Sequence, residues 1–302
     1  MIKTMTDLMD FARERGPKTV AVACAQDLDV LKAVSRAKES KVADATLVGD
    51  KAKIESIANE NNLDLSSFEI IDLEDPMEAS LKAVELVSSG KAHMVMKGLV
   101  DTSIFLKAVL NAEIGLRTGN VLSHVAVFDI KGFDRLFLVT DAAMNIDPDL
   151  ETKKQIIENA VVVAKALDIE EPKVASICAK EKANPKMPDT MDAAALTEMN
   201  EKGEITGCVV GGPFALDNAV SEDAARIKGI DHPVAGKADI LLAPDIEGGN
   251  ILYKTLGFMM FASNAAVIVG AKAPIVLTSR ADSDESKLNS IALGVLCAAK
   301  LF

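Results

Sequence analysis

Strand-like and helix-like segments alternate along nearly the whole chain, and this rhythm restricts the architecture more than any single motif. Short apolar runs at 19–24, 45–49, 68–72 and 93–97 are each followed by a stretch with helical spacing, at 28–38, 54–61, from Pro76 onward, and at 104–110. Runs of βαβ units require a parallel sheet with helices on both faces. The rhythm breaks once, where apolar runs at 123–130 and 135–141 are separated only by residues 131–134. Four residues cannot hold a crossover helix, so this pair reads as an antiparallel hairpin joining two domains. Alternation then resumes with helices at 148–166, 189–200, 215–227 and 249–261, and strands at 173–178, 207–211, 239–243 and 265–269. A last strand at 275–277 and a final helix close the chain. The expected class is α/β with two doubly wound domains. Their expected bounds are 1–127 with 268–302, because the hairpin leaves the last strand and helix unpaired, and 128–267.

Composition bounds the function. The 302 residues are 49% hydrophobic and 26% charged, with a net charge of −12. That is a globular composition, and its acidity argues against a nucleic-acid surface or an anionic membrane as partner. A few local lysines and arginines can still make a pocket for an anionic substrate. The longest apolar region, 251–271, includes Lys254, Ser263 and Asn264, which fits a buried helix running into a strand better than a membrane span. The first ten residues lack a basic stretch followed by an apolar core, so no signal peptide is expected. Cys24, Cys178, Cys208 and Cys297 show no CxxC or ligand-like spacing, so core thiols in a reducing cytoplasm are expected rather than disulfides or a metal site.

The candidate chemistry sits at strand ends. Ile275, Val276 and Leu277 form a buried-strand run, while Leu288, Ile291 and Val295 recur at helical spacing. Asp282 and Glu285 have capping-box spacing, which places the helix start near Asp282. Thr278, Ser279 and Arg280 therefore fall between a strand's carboxyl end and a helix amino terminus, where open α/β sheets bind anions. Lys97, Gly98, Thr102 and Ser103 repeat the pattern after an earlier strand. Arg117 lies in a glycine-flanked loop before Ser123 and His124, and His124 is either a general base or a packed structural residue. Asp141 to Asn145 and Gly211-Gly212 also sit at strand ends, the latter pair read either as room for a ligand or, equally well, as a turn followed by a helix cap. Asp245, Asn250 and Lys254, beside the sole tyrosine, Tyr253, open a late helix. Capped turns explain any one of these features alone. The chain has no GxSxG, HExxH or GxGxxG pattern, which removes support from serine-hydrolase, zincin and simple dinucleotide readings.

Taken together, these segments resemble the phosphate acetyl/butyryltransferase family. The likeness runs through Met94-Val-Met-Lys-Gly-Leu-Val100, Gly115-Leu-Arg-Thr-Gly119, Ser123-His-Val-Ala-Val-Phe128, Asn184-Pro-Lys-Met-Pro188, Val234-Ala-Gly-Lys-Ala-Asp239 and Thr278-Ser-Arg-Ala-Asp-Ser283. It implies two α/β domains with a cleft between them, related in shape to the isocitrate and isopropylmalate dehydrogenases, usually as a homo-oligomer. The implied reaction is acyl transfer between coenzyme A and phosphate, with butyryl-CoA as acyl donor and no metal or cofactor. It implies Arg280 for the phosphoryl group and Ser279 for the oxyanion. Related phosphotransacetylases carry an aspartate base where this chain has Ser286, so either Asp284 or Asp282 is expected to serve or the base lies elsewhere. They often carry a cysteine where this chain has Ala142, which favours direct transfer in a ternary complex. Lys97, Thr102, Arg117, Ser123, His124, Asn145, Asp245, Asn250 and Lys254 complete the expected phosphate and CoA contacts. The competing readings are acetyl-CoA as donor, a metal- and NAD-dependent decarboxylating dehydrogenase of related shape, and a non-catalytic CoA-binding module.

Overall fold

The structure, a computed structural model, describes residues 2–278 and 282–301. Its contacts separate into two units, one of Met5–Asn120 with Ala265–Phe302 and one of Met1–Thr4 with Val121–Asn264. The boundaries read from the sequence, at 127 and 267, fall inside strands, whereas these divisions fall before one strand and near the start of another.

The first unit begins with helix α1 (Met5–Arg15), then β1 (Lys18–Ala23), α2 (Leu28–Glu39), β2 (Ala43–Gly49), α3 (Lys51–Glu60), β3 (Glu69–Asp72), α4 (Pro76–Ser88), β4 (Met94–Lys97) and α5 (Thr102–Val109). Aspartates start the helices. The carboxylates of Asp27, Asp50 and Asp75 accept main-chain amides of α2, α3 and α4, and each removes a donor that the helix cannot satisfy internally. α1 was not anticipated, although its buried Met5, Leu8 and Ala12 recur at helical spacing.

The second unit holds β5 (Ser123–Asp129), β6 (Leu136–Thr140), α6 (Leu150–Ala166), β7 (Lys173–Ile177), α7 (Pro188–Glu201), β8 (Val209–Phe214), α8 (Leu216–Val220), α9 (Glu222–Ile227), β9 (Ile240–Leu242) and α10 (Ile246–Lys254), which runs into a π-helical turn at Thr255–Met259. β5 and β6 are antiparallel, as the short connection requires. The sheet continues β5-β6-β9-β7-β8, with the remaining pairs parallel. Lys153 is 3% exposed and ties α6 to α7 through Asp189 and Asp192, at 2.9 and 2.8 Å.

The chain then returns through β10 (Ser263–Val269), β11 (Ile275–Val276) and α11 (Asp284–Leu301). β11 pairs in parallel with β4 and antiparallel with β10, so the first unit's strands run β3-β2-β1-β4-β11-β10. α11 is almost wholly buried from Leu288 to Ala298 and packs on α1 and α2.

Three local expectations are corrected. The Gly211-Gly212 pair lies within β8, not in a turn: a Cβ at Gly212 would approach Ser176 Cβ at 2.8 Å, so the neighbouring strand occupies that space. The helix expected over 215–227 is two, because Ser221 is extended and its hydroxyl caps α9 through the Ala224 amide. α11 is capped by Ser283 rather than Asp282: the Ser286 amide donates to Ser283 Oγ at 3.2 Å, and the Lys287 amide to the Ser283 carbonyl.

Candidate active site

In the first unit the chemistry gathers at the carboxyl ends of β1, β4 and β11. Lys97, the last residue of β4, is 6% exposed, and its ammonium donates to the carbonyls of Gly98 at 3.3 Å and Val100 at 3.0 Å. The cation thereby folds its own loop back toward β1. Gly98 allows this, since a Cβ there would lie 2.3 Å from the Cys24 carbonyl. Thr102 and Ser103 are exposed on the first turn of α5. Asp101 precedes that turn without a side-chain cap hydrogen bond, unlike the aspartates before α2, α3 and α4. A helix start of this kind presents amide donors to an anion. Arg117 is exposed in the loop before β5, where Thr118 donates to the Gly270 carbonyl.

β11 lies beside β4 in register Val95↔Ile275 and Met96↔Val276, so Lys97 and Thr278 share this sheet edge. Ser279 and Arg280, the expected oxyanion and phosphate residues, lie outside the described residues. The rim after them is held by Lys287, 4% exposed, whose ammonium donates to the Asp282 carbonyl. Asp282 is itself buried. Asp284 is held in an ion pair with Arg36 at 2.7 Å. That pairing binds α2 to the first turn of α11 and disfavours Asp284 as a free base. Ser286 lies one turn into α11, and its carbonyl accepts from Ser290 Oγ, which in turn accepts the Ala266 amide.

In the second unit the centre is Asp141, which opens the 141–145 segment noted at a strand end but is not among the expected substrate contacts. It follows β6, is 3% exposed, and accepts the amides of Ala143, Met144 and Asn145 together with the Asn145 side-chain amide at 2.6 Å. Asn145 also donates to the Leu122 carbonyl. Asn250 donates to the Ala142 carbonyl at 3.1 Å, joining α10 to the same loop. Gly249 permits this approach, because a Cβ would meet the Asp141 carbonyl at 2.2 Å. Asp245 is the cap of α10 and accepts the Gly248 amide, so its carboxylate is committed to the helix. The available signal was an Asp four residues before an Asn at a strand end, a local Asx pattern.

The structure brings Asn145 and Asn250 to one loop, and places His124 and Lys254 around Tyr253. His124 meets Tyr253 edge-on with ring centres 5.6 Å apart. Lys254 Nζ stands 5.2 Å from the ring centres of both Tyr253 and Phe258. Ser123 is corrected: it has no exposed surface and its hydroxyl accepts from Asn159, which makes it a core hydroxyl rather than a substrate contact.

None of the thiols is poised as a nucleophile. Burial raises Cys24 and pushes Cys178 and Cys208 up to about 11 and Cys297 to about 12. Among the described residues no group of three or more His, Cys, Asp or Glu is placed to hold a metal ion, and no helix is long and apolar enough to cross a membrane.

Known proteins resemble the chain along its length. The family described as Phosphate acetyl/butaryl transferase matches residues 3–80 and 74–295. A phosphate butyryltransferase of Clostridium beijerinckii is 55% identical over 99% of both chains. A phosphate acetyltransferase of Thermotoga maritima is 48% identical over 96% of this chain and 98% of its own. The crystal structure of a branched-chain phosphotransacylase from Enterococcus faecalis V583 superposes with a TM-score of 0.82 at 35% identity, covering 93% of this chain and 99% of that one. With likeness along the whole length, the chain belongs to the phosphate acetyl/butyryl transferase family and is an acyltransferase.

Proposed function

We propose that this enzyme moves a butyryl group between coenzyme A and orthophosphate, butyryl-CoA + phosphate ⇌ butyryl phosphate + CoA, by direct transfer in a ternary complex. The observation that carries the acyl chain is the 55% identity to the C. beijerinckii phosphate butyryltransferase, against 48% to the T. maritima phosphate acetyltransferase. A phosphate oxygen attacks the thioester carbonyl carbon, the C–S bond breaks, and the leaving thiolate takes the proton that the attacking hydrogen phosphate gives up. Both substrates carry all the atoms and electrons this needs, so the reading assigns no metal or redox cofactor.

Arg280 holds the phosphoryl group as a planar two-pronged donor, and Ser279 with nearby amides receives the oxyanion. Lys97 and Thr102 add positive potential and hydrogen bonds on the phosphate side, with Arg117 at the rim. Asn145, Asn250, His124 and Lys254 serve the CoA side. The Asp284 carboxylate is engaged by Arg36, so the leaving thiolate is stabilised chiefly by positive neighbours. Buried thiols with raised pKa values and Ala142 after Asp141 support direct transfer over a thiol-linked intermediate. The reading places the enzyme in the cytoplasm as a homo-oligomer.

The test is CoA release from acetyl-, butyryl- and isobutyryl-CoA with and without phosphate, followed with a thiol reagent. Phosphate-dependent release fastest with butyryl-CoA is expected. Acetyl and butyryl differ by two methylenes, each worth about 0.8 kcal/mol, so a fastest rate with acetyl-CoA would move the chain to the acetyl branch. Release without phosphate would sink the transferase reading. Arg280→Ala is expected to lower kcat/KM at least about a hundredfold with the fold intact, and near-normal turnover would remove Arg280 from the site.

A further inference from the structure

In the first unit the direction in which strands are added reverses once. From β1 the chain builds β2 and β3 on one side, then β4 and β11 on the other. The carboxyl ends of β1 and β4 therefore flank a switch point, where open α/β sheets hold their ligands. The loop after β4 is fastened across this crevice. The Gly98 amide donates to the Ala23 carbonyl and the Leu99 amide to the Cys24 carbonyl, both at 2.8 Å. Cys24 leaves β1 with φ 54, and backbone strain of this kind gathers at functional sites. The Val100 amide donates back to the Gly98 carbonyl at 3.0 Å, which makes Leu99 the middle of a tight three-residue turn. The Lys97 ammonium holds the carbonyls on either side of it.

What this turn displays is apolar. From Met94 to Val100 every residue is buried except Leu99, which is 45% exposed. An exposed leucine by itself is ordinary. This one stands on a backbone fixed by five hydrogen bonds, two of them from a buried lysine, at the place in the sheet where a ligand is expected. A side chain held in water so firmly gains when a ligand covers it with its own alkyl surface. Leu99 is two residues from Lys97 and three from Thr102, which the reading above gives to phosphate. Phosphate attacks the thioester carbonyl carbon, so the alkyl tail on that carbon has to lie within a few bond lengths of the phosphate.

We propose that Leu99 is a specificity-determining residue that packs against the alkyl tail of the acyl donor, so that a butyryl group covers it and an acetyl group is too short to do so. The proposal rests on the phosphate acyltransferase reading above and names a residue that sets its chain length. Because the turn is held through main-chain groups and through Lys97, changing the Leu99 side chain alters the contact and leaves the loop in place.

The test is kcat/KM for acetyl-CoA and butyryl-CoA at saturating phosphate, measured on the full chain as wild type, Leu99→Ala and Leu99→Met. Two buried methylenes are worth up to about fifteenfold, which bounds the wild-type preference for butyryl-CoA. Leu99→Ala is expected to reduce that preference to about threefold or less, through a fall with butyryl-CoA alone, with KM for phosphate and the urea midpoint unchanged. Leu99→Met conserves volume and is expected to keep the preference. A ratio that Leu99→Ala leaves unchanged, or shifts toward butyryl-CoA, overturns the proposal. An equal fall with both donors also overturns it, and places Leu99 against the CoA arm that they share. A wild type that prefers acetyl-CoA overturns the butyryl reading, and overturns the role of Leu99 as well unless Leu99→Ala still moves the ratio about fivefold toward acetyl-CoA. The absence of phosphate-dependent release with either donor overturns the acyltransferase reading and the proposal together.

Discussion

Each unit ends a buried strand on a charged residue, and the two residues do opposite things. Lys97 ends β4 and donates to the carbonyls of Gly98 and Val100. Asp141 follows β6 and gathers three main-chain amides and the Asn145 side chain. A loop organised by a cation keeps positive character at the strand end and sits beside the start of α5, whose capping aspartate makes no side-chain cap bond. A loop organised by an anion has used up its amides and offers a carbonyl, which Asn250 takes. The first arrangement suits phosphate, whereas the second would repel it and presents neutral amide groups. This difference supports the proposed placing of phosphate on the unit of β4 and β11.

The largest expected effect strikes the anionic loop. Asp141→Ala leaves three amides and an asparagine without their acceptor, and should cost about 3 kcal/mol of stability in urea unfolding. A loss below about 1 kcal/mol would mean the carboxylate does not organise the loop. Asp141→Asn should recover part of the loss, since the amide oxygen still accepts.

Lys97→Met is the counterpart in the cationic loop. Two carbonyls lose a donor, for about 2 kcal/mol, and KM for phosphate should rise at least about tenfold with KM for acyl-CoA little changed. Equal rises in both would erase the distinction between the two sides.

Alkaline pH tests the cores of both units, through Cys297 in one and Cys178 and Cys208 in the other. Their native pKa values lie at about 12, 11 and 11, above the ordinary 9.0. Between about pH 9 and those values the unfolded chain has lost protons that the native thiols keep, so unfolding is increasingly favoured. Stability from this source should be fully present below pH 9 and fall progressively above it. A flat stability between pH 9 and 11 would contradict the burial of these thiols. The smallest effect is Ser283→Ala, about 1 kcal/mol from the lost cap of α11, read as a lowered urea midpoint at unchanged slope.

Much of this was legible locally. The apolar runs that became β1, β4 and β5 are buried strands because continuous apolar segments between turn residues suit a sheet covered on both faces. Asp27, Asp50, Asp75 and Asp149 precede helices and cap them, which depends only on residues two or three positions away. The hairpin followed from the short connection between the two apolar runs, six residues between β5 and β6 in the structure. Other features depended on partners far along the chain. Ser123 looked like a ligand contact until Asn159, 36 residues away, proved to hold its hydroxyl. Asp284 looked like a free base, yet it pairs with Arg36 across 248 residues. Gly211-Gly212 looked like a turn because glycines usually mark one, whereas in β8 they make room for Ser176 and His232.

By itself, then, the sequence determined the βαβ alternation and, through long ordered matches, the family. Those are set by short-range sterics and by a pattern of residues that needs no coordinates to recognise. The tertiary structure alone decided that β11 inserts between β4 and β10, that Asp141 rather than a named site residue anchors its loop, and which polar groups are already engaged. A side chain's capacity to act on a substrate depends on whether a protein group has already taken its hydrogen bonds, and that group is usually brought beside it only by the packing of distant segments.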